Sequence, residues 1–142
     1  KRPRITLTPT LVLKAGQPVL AISVAGGDLQ DQATLNLLLD FIEFGMMPAD
    51  AVTAPRFATD QHQDSFDPNP VREQTLGQAG SLAISDAVAL SVREALAQRG
   101  HQVAAKATPI AVPVMLYADA ASGIYYAAGD PATKRHAAGL EE

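Results

Sequence analysis

A pair of glycines stands where a strongly apolar run gives way to a helical pattern, in the sequence Ser23-Val24-Ala25-Gly26-Gly27-Asp28-Leu29-Gln30. Glycine has no Cβ, so the backbone at this point can approach a substrate carbonyl, and the start of a helix adds partial positive charge. Two N–H groups at such a junction can stabilise an oxyanion during acyl transfer. By itself, the pair is explained more simply as a bulge or a tight strand exit.

A second set of side chains that could take part in chemistry lies in a polar stretch further along the chain. Metal ligation is one hypothesis for this set, because carboxylate oxygens and imidazole nitrogens bind divalent cations. The stretch has no recognised ligand spacing, and dense Asp, Asn and Pro residues are more typical of turns. The candidate ligands are Asp60, His62, Asp64 and Asp67.

Two apolar strands are expected to lead into the glycine pair. Thr8 to Lys14 and Pro18 to Ala25 are rich in Leu, Val and Ile, and the residues between them suit a tight connection. The sequence therefore predicts a hairpin. Both strands are apolar at nearly every central position, which indicates a sheet that is covered on both faces.

A helix is predicted directly after the glycine pair, from Asp31 to Phe44. Its apolar residues occupy two faces and leave only a narrow polar stripe, so we expect the helix to be largely buried. Gly45 is well placed to end it in the left-handed conformation. Pro48 suits the first turn of a short helix that runs through Ala54.

The second half of the chain begins with a polar segment, residues 58–80, which we interpret as a long loop or an insertion. A short strand is predicted from Ser81 to Ile84. Ser85 is then expected to cap a helix that Gly100 ends. The core face of that helix is assigned to Val88, Val92, Ala95 and Leu96.

A second hairpin is predicted from Val112 to Tyr117 and from Ile124 to Ala128. These elements predict one domain over residues 1–142, of mixed α and β class.

Composition narrows the classes of function. The 142 residues carry 15 acidic against 11 basic side chains, a net charge of −4, so nothing favours a nucleic acid as partner. The chain has no cysteine, which excludes disulfides and thiolate metal sites.

The motifs together resemble one family, the γ-glutamyltransferases, also called γ-glutamyltranspeptidases. The resemblance rests on Lys1-Arg2-Pro3, Thr8-Pro9-Thr10, the glycine pair, Glu43-Phe44-Gly45-Met46 and Ala54-Pro55-Arg56-Phe57, and more loosely on Gly129-Asp130-Pro131. It implies the four-layer αββα sandwich of N-terminal nucleophile hydrolases. This chain would be the C-terminal part of the small subunit, and the Gln61 to Gln78 region is an insertion relative to well-known members.

The resemblance also implies roles for individual residues. Arg56 lies in the run Ala54-Pro55-Arg56-Phe57, a motif that recurs in the family, so we expect its charge to form a buried structural tie and to take no part in the chemistry. Gly26 and Gly27 match the glycine pair that forms the oxyanion hole of the family. Ile5 and Thr6 fall where well-known members carry two serines that hold the α-carboxylate of the γ-glutamyl group. Thr6 keeps a hydroxyl for that purpose, whereas Ile5 cannot donate a hydrogen bond.

The family nucleophile is a threonine that self-cleavage frees at the N-terminus of the small subunit. No residue of this chain matches it, so the resemblance implies that the chain alone is inactive and needs a large subunit and the preceding part of the small subunit. The reaction implied is acyl transfer from a γ-glutamyl amide such as glutathione to water or an amine, with no metal or organic cofactor.

A non-catalytic structural or interaction module of the same fold is the alternative interpretation. In either case the buried-type helices and strands would expose apolar surface in the isolated chain, so we expect it to form a homo-oligomer.

Overall fold

The computed structural model describes residues 6–138 and shows a mixed architecture of strands and helices, which confirms the predicted α+β class. No helix within the described part is long and apolar enough to cross a membrane. The strands are β1 (Thr10–Lys14), β2 (Gln17–Ala25), β3 (Phe57–Ala58), β4 (Ser81–Ser85), β5 (Gln102–Lys106), β6 (Val112–Asp119) and β7 (Ile124–Gly129). The α-helices are α1 (Gln30–Ile42), α2 (Pro48–Thr53) and α3 (Leu90–Gln98).

Four strands form an antiparallel sheet in the order β1-β2-β6-β7. The hairpin predicted for β1 and β2 is confirmed, with Thr10 opposite Ile22, and so is the hairpin of β6 and β7. β2 also pairs with β6, with Ile22 opposite Met115. Because side chains alternate along a strand, Leu20, Ile22 and Val24 all point to one face.

Helices α1 and α2 cover that face and close the core. Leu37, Ala51 and Val52 are almost completely buried there together with Leu20 and Met115. The rings of Phe41 and of Tyr117 in β6 meet in an edge-to-face arrangement, with ring centroids 4.9 Å apart. The apolar face of α1 therefore holds the helix against the middle of the sheet.

The prediction that both faces of this sheet are covered is wrong for the described chain. Leu11, on the face opposite the helices, is 61% exposed. Ala21 and Leu116 share its register, and Leu116 is also exposed. Both faces of the strands are apolar, as the sequence indicated, but residues 6–138 supply a covering layer for one face only.

The expectation that α1 is largely buried fails for the same reason. Leu35, Leu39 and Ile42 are exposed on the side that faces away from the sheet. The ends of the helices agree better with the sequence: Gly45 has φ +66° just after α1, and Pro48 opens α2.

The second sheet has three strands in the order β3-β4-β5, with β4 and β5 parallel and joined through α3. The predicted strand at Ser81 is confirmed, but Ser85 does not cap the helix. Its hydroxyl accepts a hydrogen bond from the N–H of Ala87 in a turn, and α3 begins only at Leu90. The predicted core face of α3 is also wrong, because no residue of this helix is buried and Val92 is 48% exposed.

Arg56 forms the buried tie that the resemblance implied. Its guanidinium lies 2.7 Å from the carboxylate of Asp130 and also donates to the carbonyl oxygens of Val52 and Ile110. Both charged side chains are 5% exposed. The pair therefore fixes the connection between α2 and β3 against the end of β7.

Candidate functional site

The glycine pair lies at the junction between β2 and α1. β2 ends at Ala25, Gly26 follows, and a 3-10 turn from Gly27 to Leu29 continues directly into α1. The N–H of Leu29 donates to the carbonyl of Gly26 at 3.1 Å, which closes the first turn. The N–H groups at the start of a helix have no acceptor within it, so this junction can present donors to an anion.

Close packing explains why both positions carry glycine. Gly27 has φ +58°, and a Cβ there would lie 2.7 Å from Cε2 of Phe66. Gly26 has an extended φ, but its Cβ would lie 3.1 Å from that of Ala111. A side chain at either position would therefore push against a neighbour.

Thr6 is the first described residue and is half-buried. Because Thr10 pairs with Ile22 in antiparallel register, the residues before Thr10 run toward the end of β2 where Gly26 lies. The Thr8 hydroxyl lies 3.4 Å from Oε1 of Gln30, the first residue of α1. The strand entry thus brings Thr6 to the same end of the sheet as the glycine pair, while Ile5 falls outside the described residues.

The segment between β3 and β4, residues 59–80, covers this junction. The sequence did not predict that contact. The backbone N–H of Ser65 donates to Oδ2 of Asp28 at 2.7 Å, and the Ser65 hydroxyl donates to Oδ1. Phe66 then places its ring against Gly27. The partners are 37 residues apart in the sequence, so no local pattern could have revealed them.

A cavity of about 400 Å³ lies between the segment and the junction. Gly26 and Leu29 form one side of it, and His62, Phe66 and Leu76 lie on the side of the segment. Its remaining lining is largely polar, and includes carboxylates. The cavity therefore gives a small polar molecule access to the backbone of Gly26.

The hypothesis of a metal site at Asp60, His62, Asp64 and Asp67 finds no support. Within residues 6–138 no three His, Asp or Glu side chains converge closely enough to hold a metal ion. Nδ1 of His62 lies 4.0 Å from the carboxylate of Asp28 and near the carbonyl of Gln63, so the ring takes part in the folding of the segment.

Comparisons with known proteins agree with one another. Residues 1–140 match the family model described as gamma-glutamyltranspeptidase. Among curated proteins, the glutathione hydrolase proenzyme of a Pseudomonas species is 40% identical over 57 residues, which is 40% of this chain and 10% of that protein.

Solved structures show the same fold over nearly the whole chain. A structure of LmbA2991 superposes with a TM-score of 0.85 at 29% identity and covers 98% of this chain and 24% of that one. The gamma-glutamyltranspeptidase of Helicobacter pylori has a TM-score of 0.72 at 23% identity and covers 93% of this chain and 63% of that one. The chain therefore spans only part of the length of each of these three proteins.

Proposed function

Because the chain belongs to the gamma-glutamyltranspeptidase family, we propose that the protein containing it cleaves γ-glutamyl amides of the glutathione type and transfers the γ-glutamyl group to water or to an amine. One observation carries the proposal: the glycine pair of this family sits at a strand-to-helix junction, beside an open cavity. The name glutathione hydrolase on the curated relative supports the choice of substrate.

The fold is that of the family. The four-stranded sheet and the helices α1 and α2 supply one sheet and one helix layer of the αββα sandwich of N-terminal nucleophile hydrolases, in agreement with the fold that the resemblance implied. In that architecture the two sheets pack against each other at the centre. The exposed apolar face of β1, β2, β6 and β7 is the surface that the other central sheet of the sandwich would cover.

We assign Gly26 and Gly27 to the oxyanion hole. When a nucleophilic oxygen attacks the amide carbonyl carbon, the carbonyl electron pair moves to oxygen, and N–H groups aimed at that oxygen stabilise the developing charge. The start of α1 adds partial positive charge at the same place. Collapse of the intermediate expels the amine, which takes up a proton, and leaves an acyl-enzyme for water or a second amine to attack.

We assign Thr6 to the α-carboxylate of the γ-glutamyl group. Its location at the glycine end of the sheet supports this role, because a hydroxyl there can donate a hydrogen bond to a carboxylate. The neighbouring Ile5 offers no such donor. The carboxylate is therefore held by fewer hydroxyls than in family members with two serines.

The threonine nucleophile, by this proposal, lies outside the chain, together with a large subunit and the N-terminal part of the small subunit. The small share of each relative that the chain covers supports this division. The isolated chain is then inactive. The proposed chemistry uses the threonine and its own amino group as general base, so it requires no cofactor.

Release of p-nitroaniline from γ-glutamyl-p-nitroanilide by the full-length protein tests the proposal. We expect turnover by the parent protein and a loss of about 100-fold or more in kcat for Gly27→Ala, because a Cβ there displaces the oxyanion donors. Gly123→Ala is the matched control, since Gly123 also has positive φ but faces open space in the turn between β6 and β7.

Self-cleavage into two subunits reports on folding in each variant. Absence of turnover by a cleaved parent would contradict the proposed substrate and favour the non-catalytic module. Equal losses in Gly27→Ala and Gly123→Ala would contradict the oxyanion assignment, because backbone strain alone would then explain them.

A further inference from the structure

We propose that the segment between β3 and β4 forms a wall of the acyl-transfer site and that Phe66 is a specificity-determining residue for the leaving group. This inference rests on the proposed function of the glycine pair. Its own basis is a set of contacts that join residues 59–77 to the junction of β2 and α1. None of these contacts follows from the roles assigned to Gly26, Gly27 or Thr6.

The segment is anchored to the helix that begins at the glycine pair. At its base, the side-chain amide of Gln32 exchanges two hydrogen bonds with the backbone of Thr59, at 2.7 and 2.9 Å. At its tip, Ser65 donates its N–H and its hydroxyl to the carboxylate of Asp28. Hydrogen bonds to an ionised carboxylate are stronger than those between neutral groups, so Asp28 is an effective anchor.

The tip also has an internal scaffold. The guanidinium of Arg72 donates to the carbonyl oxygens of Asp64 and Asp67 at 2.6 and 2.7 Å. The N–H of Phe66 donates to the carboxylate of Asp64 at 2.7 Å. These bonds hold the backbone on both sides of Phe66, so the location of its ring does not depend on burial of the side chain.

The ring itself is available to a ligand. It lies against Gly27, yet 71% of Phe66 is exposed, and the residue lines the cavity that Gly26 also lines. A large apolar side chain beside polar groups loses unfavourable contact with water when an apolar ligand covers it. A substrate whose carbonyl oxygen reaches the glycine pair would have its neighbouring atoms within reach of this ring.

The leaving group is the part of the substrate that the ring would contact. The α-carboxylate end of the acyl group is assigned to Thr6, which precedes β1, whereas Phe66 comes from the segment between β3 and β4. By these assignments, Thr6 contacts the acyl side of the scissile bond and Phe66 contacts the leaving-group side. An aromatic or apolar leaving group gains contact with Phe66, and a small one does not.

The assignment of Phe66 to the leaving group can be tested in the full-length protein with two substrates that share the same acyl group. These substrates are γ-glutamyl-p-nitroanilide and γ-glutamylmethylamide. We expect Phe66→Ala to lower kcat/KM for the anilide by about two- to tenfold, the range of one aromatic contact, mainly through KM. For the methylamide, kcat/KM should change less than twofold. Ser65→Ala should shift the ratio of the two values in the same direction by a smaller factor, as a positioning residue.

Val71→Ala is the matched control, because Val71 is a second exposed apolar residue of the same segment and does not line the cavity. Phe66→Leu retains apolar bulk and should give an intermediate ratio. An unchanged ratio in Phe66→Ala, with a parent that turns over both substrates, would overturn this inference alone. A correctly cleaved parent that turns over neither substrate would overturn the proposed function and this inference with it.

Discussion

The Cα of Gly77 packs so tightly against the carbonyl group of Asp60 that a Cβ at this position would overlap the carbonyl oxygen. The N–H of Gly77 donates to the carbonyl of His62 at 3.0 Å, and an isolated bridge joins Gln63 to Leu76. The two ends of the segment that covers the glycine pair are thus held together by backbone contacts. The tip that carries Phe66 depends on this closure.

Gly77→Ala is therefore expected to open the base of the segment. The added methyl group forces the backbone of Asp60 away, and overpacking of this kind costs about 1–3 kcal/mol. Hydrogen exchange of residues 60–77 should become faster, while exchange in β2 and β6 should stay unchanged. Gly16→Ala, in the open turn between β1 and β2, is the control, and an equal effect on residues 60–77 in both variants would contradict the prediction.

The buried ion pair of Arg56 and Asp130 leads to a second prediction. Arg56→Leu leaves the Asp130 carboxylate buried without its partner, which costs about 3–5 kcal/mol of the free energy of unfolding. The variant also leaves the carbonyl oxygens of Val52 and Ile110 without the guanidinium donors. Urea unfolding of the parent and the variant measures the difference.

A double-mutant cycle separates the ion pair from the other contacts of Arg56. The double variant Arg56→Leu/Asp130→Leu should lose less stability than the sum of the two single variants, because neither charge is then left unpaired. Arg99→Leu at an exposed site is the control for the loss of one positive charge. Simple additivity in the cycle would show that the pair itself contributes nothing.

Asp40 gives a third prediction, on the pH dependence of stability. Partial burial on α1 raises the pKa of this carboxyl above its ordinary value of 3.8, while the nearby charge of Arg56 opposes that rise. The folded state therefore binds more protons than the unfolded state in a window that begins near pH 3.8 and extends upward. In this window the contribution of Asp40 to the free energy of unfolding falls as the pH rises.

Asp40→Asn should remove this dependence, so the variant gains stability relative to the parent as the pH is raised from 3 to 6. Asp119 provides a comparison of opposite sign, because hydrogen bonds from the Ser122 hydroxyl and the Ala121 N–H lower its pKa. Asp119→Asn should lose stability relative to the parent over the same rise in pH. Urea unfolding at several pH values measures both trends, and parallel curves for the two variants would contradict the assignment.

Local patterns predicted most elements, because a hairpin or a helix depends on residues that are close in the sequence. The predicted strands and α1 are all present, and Gly45 and Pro48 stand at the expected helix ends. The predictions of which faces are buried were wrong. An apolar stripe shows that a face is suited to packing, but it does not show whether the packing partner lies within the same chain, so Leu35 and Leu116 are exposed here.

At the candidate site, too, local features could be predicted and contacts between distant segments could not. The resemblance to a family located the glycine pair, and the start of the helix beside it could be predicted from the sequence. The cover formed by Ser65 and Phe66 could not, because it depends on how a polar segment folds back over α1. The prediction that Ser85 caps α3 is wrong, because its hydroxyl accepts a hydrogen bond within a local turn that precedes the helix.

The open face of the four-stranded sheet leads to the last prediction. Leu11, Ala21, Leu116 and Ala127 lie side by side across the four strands, and the surface around them forms an apolar groove of about 470 Å³. Apolar surface of this kind drives association when no partner covers it. We expect the isolated chain to form dimers or larger oligomers, measured by light scattering over a dilution series.

Lysine at the centre of this row should weaken the association, because assembly would then bury an unpaired charge. Leu116→Lys is therefore expected to shift the oligomer toward monomer at a given concentration, with Val71→Lys, outside the sheet, as the control for added charge. Association that persists in Leu116→Lys but is lost in Val71→Lys would place the contact elsewhere. A parent chain that remains monomeric at all concentrations would instead show that this face is stable in water without a partner.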